Sequence, residues 1–140
     1  MKSLFKNILI MTVVSLFAVN CANQNKKPVA SSSSLQSIYY DFDMSVIRSD
    51  SIGAMQGNAS YLKGNPNVNV TIEGNCDNRG TNEYNMALGH RRAESAKEYL
   101  VNLGVSSARM RTVSFGEEKP VCYSNDEGCW QRNRRADFRR

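Results

Sequence analysis

The chain is poor in the residues that build metal centres and rigid turns. Its 140 residues include one histidine, His90, one tryptophan, Trp130, and three prolines. A lone histidine excludes any site built on several imidazole ligands. The four cysteines (Cys21, Cys76, Cys122, Cys129) are too few for a disulfide-dense scaffold, and no pair of them has zinc-ligand spacing. Apolar residues run together at length only from Ile8 to Val19, about a dozen residues where a spanning helix needs roughly 20. A polytopic membrane protein is therefore excluded. With 41% hydrophobic and 22% charged residues, collagen-like and wholly disordered chains are excluded too. Charge of one sign is only mildly in excess: 18 Lys+Arg against 13 Asp+Glu give +5, and without Lys2 and Lys6 the balance is 16 against 13, or +3. That excess is too small to mark a nucleic-acid binder. Nothing in the sequence asks for a cofactor.

What is present begins with an address. Lys2 and Lys6 precede the apolar run Ile8–Val19, and the polar stretch Asn23-Gln24-Asn25-Lys26-Lys27 follows almost at once. Residues 1–20 read as an export signal. Cys21 stands at its end, an arrangement that resembles the lipobox of bacterial lipoproteins, although Ala18 and Asn20 replace the usual Leu and small residue. The resemblance implies that Cys21 becomes the first mature residue and carries acyl chains, each buried methylene contributing roughly 0.8 kcal/mol of membrane affinity. The simpler alternative is an ordinary secretory signal with an incidental cysteine. Residues 21–36 then form the lipidated cysteine and a flexible tether, with the run Ser31-Ser32-Ser33-Ser34 and no apolar periodicity. About 15 extended residues reach some 50 Å.

Residues 37–140 are expected to form one domain. Ser37–Phe42 is rich in β-formers. Asp50–Lys63 has helical spacing at Ile52, Met55, Ala59 and Leu62, ended by Gly64-Asn65-Pro66. Val68–Glu73 alternates like a half-buried strand, Gly74–Gly80 is a loop, and Asn82–Leu103 is a long helix stopped by Gly104. Arg111–Phe115, a short helix over Asp126–Asn133 and a strand over Arg135–Arg139 complete the order β-α-β-α-β-α-β. This predicts an α/β domain, an α+β sandwich with helices packed on one mixed sheet.

The long motif runs from Glu73 to Ala93: Glu73-Gly74-Asn75-Cys76-Asp77-Asn78-Arg79-Gly80-Thr81-Asn82-Glu83-Tyr84-Asn85-Met86-Ala87-Leu88-Gly89-His90-Arg91-Arg92-Ala93. It resembles the signature of the OmpA-like peptidoglycan-binding domain family, and more closely the peptidoglycan-associated lipoprotein branch of that family. Tyr40-Asp41-Phe42-Asp43, Ser114–Pro120 and Asn133-Arg134-Arg135-Ala136 resemble the family's first-strand, third-strand and C-terminal motifs, in the same order. Asn75 stands where the family usually has His, and Arg139-Arg140 end a strand that is usually apolar.

Spacing alone places Asn85, Leu88 and Arg92 on one helix face, at i, i+3 and i+7. If the loop holding Asp77 folds over that face, a carboxylate and a guanidinium flank an apolar residue, which suits a zwitterion. The resemblance implies the zwitterion's identity, the diaminopimelate end of a peptidoglycan stem peptide. Asp77 would take its ammonium and Arg92 its carboxylate, with Leu88, Phe42 and Asp43 lining the site. Asp77 as a mere turn cap and Arg92 as a solvated helix charge are the bland alternatives. Arg91 points about 100° away from Arg92 and is expected at the surface. Arg134 is expected to support the site through an ion pair, while Tyr84 and Leu100 suit core positions. Cys76 with His90 could suggest a thiol enzyme, but nothing supplies an oxyanion site, so a non-enzymatic binding module is expected. In an oxidising compartment Cys122 and Cys129 are expected to pair, leaving Cys76 free.

The resemblance further implies an outer-membrane lipoprotein at the periplasmic face, tying the membrane to the wall noncovalently within the Tol system, with TolB as a competing partner. A lipoprotein of the same family acting in adhesion or virulence outside that system is the alternative.

Overall fold

A computed structural model describes residues 34–140. The export signal, Cys21 and most of the tether lie outside the described residues. The elements are β1 (Ile38–Tyr39), α1 (Ile52–Gly64), β2 (Val70–Asn75), α2 (Asn82–Asn102), β3 (Met110–Gly116), α3 (Glu127–Asn133) and β4 (Arg135–Arg139). Single 3-10 turns at Ser49–Ser51 and Ser107–Arg109 lead into α1 and β3. The element order is the one expected.

The four strands lie in the order β1-β4-β2-β3. β2 and β3 are parallel, joined by α2 as the crossover such a pair requires, whereas β4 runs antiparallel to both β1 and β2. The mixed sheet follows from the chain's last element entering between its first and second strands. Period-two alternation sends Val70 and Ile72 of β2 and Ala136 and Phe138 of β4 to the helix side, where they meet Met55, Leu62 and Leu100. α1 buries Met55, Ala59 and Leu62 as its spacing predicts, but Ile52 at its start is 36% exposed. β1 is shorter than expected. Beyond Tyr39 the Tyr40 amide donates to the Arg134 carbonyl at 2.9 Å, and the Tyr40 carbonyl accepts from the side chains of Arg134 and Gln131, before the chain turns away.

Two residues assigned to the tether belong to the packed body. Leu35 lies against the core, and Gln36 donates to and accepts from the side-chain amide of Asn58, at 2.8 Å each. Asn58 is fully buried, so those two bonds satisfy its amide.

Gly74 and Gly89 let β2 and α2 approach more closely than side chains would allow. A Cβ built on Gly74 would lie 1.8 Å from the Gly89 carbonyl oxygen, and one on Gly89 would lie 2.3 Å from the Ser114 hydroxyl. This contact presses the middle of α2 onto the end of β2, next to the loop that follows it.

The open face of the sheet is polar. Glu73 pairs with Lys119 at 2.7 Å and Arg139 at 3.6 Å, while Asp137 pairs with Arg135 at 3.0 Å and Arg139 at 3.4 Å. This lattice accounts for Arg139 on a strand expected to end in apolar residues.

Candidate functional site

The loop after β2, the first half of α2 and the turn after β1 meet around one cavity of about 180 Å³. Phe42, Asp43, Asp77, Asn85, Leu88 and Arg92 all line it. The helical spacing explains the last three, since Asn85, Leu88 and Arg92 are all buried on one face of α2. Thr81 starts that helix at the cavity's edge, its hydroxyl accepting from the Tyr84 amide at 3.2 Å.

Asp77 is 3% exposed and held from two sides. Arg134, itself buried, donates to its Oδ2 at 3.1 Å, and Arg79 donates to the same oxygen at 2.7 Å. The Arg79 amide closes a turn onto Oδ1 at 3.1 Å. Burial pushes the Asp77 carboxyl up, but the hydrogen bonds from Arg79 and Arg134 outweigh it and hold it below the usual carboxylate range. Arg134 thus has the supporting ion pair expected of it, and it also pairs with Glu127 at 2.5 Å.

Arg92 is fully buried and in an arrangement the spacing does not show. Its guanidinium donates to three backbone carbonyls, those of Met44 (2.9 Å), Asn75 (2.8 Å) and Asp41 (3.2 Å), and to the Cys76 sulfur at 3.3 Å. It ties the turn after β1 to the end of β2, with one Nη2 hydrogen left unbonded among the described residues. Burial draws its pKa down, without a neighbouring carboxylate to hold it up strongly. The open two-pronged fork expected from sequence is therefore largely engaged.

Arg79 and Tyr84 complete the cavity wall, and sequence reasoning assigned neither to it. Arg79 lies between two aromatic rings, 4.0 Å from the Phe42 centroid and 4.1 Å from that of Trp130, with its cation on Asp77. Its signal was the Asp-x-Arg spacing, which permits the side-chain-to-amide turn. Tyr84 is a correction: it is 47% exposed, not in the core, and its hydroxyl donates to Asp43. Asp43 has a left-handed backbone, φ 56°, which turns Phe42 and the following loop across the cavity mouth. Arg91 is exposed and Leu100 buried, as expected.

Cys76 is buried, its thiol donating to the Asn85 carbonyl at 3.3 Å, and burial pushes its pKa up to about 11. His90 is exposed on α2 and does not bond it. Cys122 and Cys129 are disulfide-bonded, with their Cα atoms 5.2 Å apart. Asp126 caps α3 from within that loop, accepting from the Cys129 amide at 2.9 Å, and Asn133 accepts from the Val121 and Cys122 amides. Reducing this bond is expected to cost on the order of 2 kcal/mol by loop-closure entropy. In thermal melts of oxidised and reduced protein, the reduced form should melt roughly 10 °C lower.

The family model of the OmpA family matches residues 39–134. Over 99 residues the chain is 50% identical to a protein named peptidoglycan-associated lipoprotein from Rhizobium meliloti, covering 71% of this chain and 56% of the relative. It is 44% identical, over 99 residues, to the protein of that name from Haemophilus influenzae, covering 65% of it. The chain thus spans little more than half the length of the first of these relatives. The crystal structure of the peptidoglycan-associated lipoprotein from Burkholderia pseudomallei superposes with a TM-score of 0.71 at 47% identity, covering 74% of this chain and 87% of that one. The C-terminal domain of Helicobacter pylori MotB shares the fold alone, with a TM-score of 0.68 at 16% identity. With one family matched across every element that builds the cavity, and close relatives over the same span, the chain belongs to the OmpA family.

Proposed function

We propose that this chain is a non-enzymatic cell-envelope lipoprotein that binds peptidoglycan noncovalently through the diaminopimelate end of its stem peptides. Residues 1–20 act as the signal peptide, Cys21 carries the acyl chains, and residues beyond it tether the domain to the periplasmic face of the outer membrane. The observation that carries the reading is one small cavity lined together by Asp77, Arg92 and the apolar Leu88. A zwitterionic head group fits that pattern, its ammonium competing with Arg79 for Asp77 and its carboxylate taking the remaining Arg92 donor and the charge behind it. The relatives' printed name, peptidoglycan-associated lipoprotein, supports the same substrate class. Membership of the Tol system, with TolB competing for the domain, extends the reading.

Co-sedimentation tests it. The chain should pellet with purified diaminopimelate-type peptidoglycan and bind lysine-type peptidoglycan at least tenfold more weakly, since lysine lacks the terminal carboxylate. Free diaminopimelate should compete, and Nα-acetyl-lysine amide, whose one free end is an ammonium without a carboxylate, should not. Leu88→Ala should weaken binding modestly, and Arg91→Ala should leave it unchanged. Equal binding to both wall types would overturn the diaminopimelate assignment.

A further inference from the structure

The acidic residues of this domain gather at one of its two ends, in excess over the cations Arg48, Arg79 and Lys119 found there. At the cavity end, the loops between β1 and α1, β2 and α2, and β3 and α3, with the first helical turns after them, carry nine of the thirteen acidic residues. At the other end, the connections 65–69 and 103–109 carry none. That end collects Lys63, Arg109, Arg111, Arg139 and Arg140.

Strand register fixes the relation of this basic end to the incoming chain. Thr71 on β2 pairs with Arg111 on one side and Arg139 on the other, so both arginines share its face of the sheet. Ile38 pairs with Ala136 and Tyr39 with Arg135, so β1 runs parallel to β2 and the chain reaches it from the side where β4 ends at Arg139. The chain therefore enters the domain at the basic end. The cavity lies beyond Asn75, four residues further along β2, or about 13 Å away at 3.3 Å per residue. Arg111 is exposed and has no ion pair among the described residues, and the Arg139 side chain is 59% exposed despite its two carboxylate neighbours. Arg140 is exposed, reaching the Tyr61 hydroxyl at 2.9 Å.

We propose that this end is a docking surface for a bilayer leaflet containing anionic phospholipid headgroups. The inference rests on the lipid anchor proposed above. Only thirteen residues lie between Cys21 and Leu35, which holds the basic end within about 50 Å of the bilayer at full extension. Basic residues brought to an anionic surface add affinity that decays within a Debye length, about 8 Å at physiological salt. Docked this way, the domain turns its acidic, cavity-bearing end away from the membrane and toward the wall. One orientation then serves both attachments.

The test uses the full chain with Cys21→Ser, so that no acyl chain contributes, and vesicles of phosphatidylcholine alone or mixed with phosphatidylglycerol. Binding should be at least roughly tenfold tighter to the anionic vesicles at low salt and should fade at high salt. Arg111→Gln/Arg139→Gln/Arg140→Gln should remove most of that preference, whereas Lys26→Gln/Lys27→Gln should keep most of it. Because Arg139 and Arg140 make native contacts, Arg111→Glu alone is measured as well, and it should weaken anionic-vesicle binding several-fold at an unchanged melting temperature. The proposal is overturned if folded triple and Arg111→Glu variants hold anionic vesicles like the parent, if the two vesicle types bind equally, or if the lysine variant loses the whole preference. Peptidoglycan co-sedimentation of the same variants should be unchanged. A failure there concerns the wall-binding cavity and leaves the vesicle result to be read separately.

Discussion

Gly74→Ala is expected to lower the melting temperature by at least about 10 °C and to abolish peptidoglycan binding near the new midpoint. The added methyl would fall 1.8 Å from the Gly89 carbonyl oxygen, and both partners are backbone. No rotamer change relieves that overlap, so β2 and α2 must separate. Overpacking of this kind costs typically 1–3 kcal/mol and sometimes more, and 1 kcal/mol shifts the melting point of a domain this size by about 4–8 °C. The separation also moves Leu88 and Arg92 on α2 away from Asp77 on the loop after β2. Thermal melts followed by circular dichroism check the first effect, and co-sedimentation at low temperature checks the second. A variant that melts with the parent would show that the two elements can yield at this contact.

Asp77→Ala should act twice, on stability and on binding. It strips the buried Arg134 of its buried carboxylate partner, and breaking such a pair costs about 3–5 kcal/mol. The remaining contact of Arg134 with the exposed Glu127 places the expected loss at the low end of that range. Peptidoglycan affinity should fall about tenfold to a hundredfold as well, the worth of one charge-assisted contact of roughly 1.5–3 kcal/mol. Acid separates the contributions. The folded carboxyl is held below its ordinary value, so the stability it contributes is complete above the unfolded pKa of about 3.9 and is lost as pH falls through the folded one. The gap between parent and Asp77→Ala in denaturant midpoint should therefore be flat from neutrality down to about pH 5 and close below about pH 4. An unchanged gap at low pH would mean that the charge of Asp77 is not what stabilises the fold.

Much of this could be read before the structure, and the failures share a cause. Periodicity located α1 and β2 because the pattern each needs is local. The face of α2 that carries Asn85, Leu88 and Arg92 was legible for the same reason. What escaped depends on parts of the chain distant in sequence. Gln36 looked like tether because its partner, Asn58, lies 22 residues away inside a helix. Ser37–Phe42 has the composition of a full strand, yet its pairing stops after Tyr39 because Asp43 turns the chain over the cavity. The engagement of Arg92 with three carbonyls, and the clamp of Phe42 and Trp130 on Arg79, exist only where three loops converge. Residue types and spacing announced a charged site, but the pairings within it are tertiary.

If the domain joins wall to membrane as proposed, the short first strand lies in the path of the load between them. Tension on the tether enters at Leu35 and runs along β1, while the resisting load sits past the far end of β2, and both directions lie parallel to the strands. Because ladder bonds lie perpendicular to antiparallel strands, the β1–β4 contacts are loaded together in shear and cannot open one by one like a zipper. Only two residue pairs form that ladder, so much of the load passes to Tyr40, whose amide holds the Arg134 carbonyl and whose hydroxyl reaches the Arg92 carbonyl on α2 at 2.8 Å. Tyr40 thus fastens β1 to the elements that carry Arg92 of the cavity and Arg134, the partner of Asp77. Under the function proposed above, pulling on the chain at its entry would strain the same elements that shape the cavity.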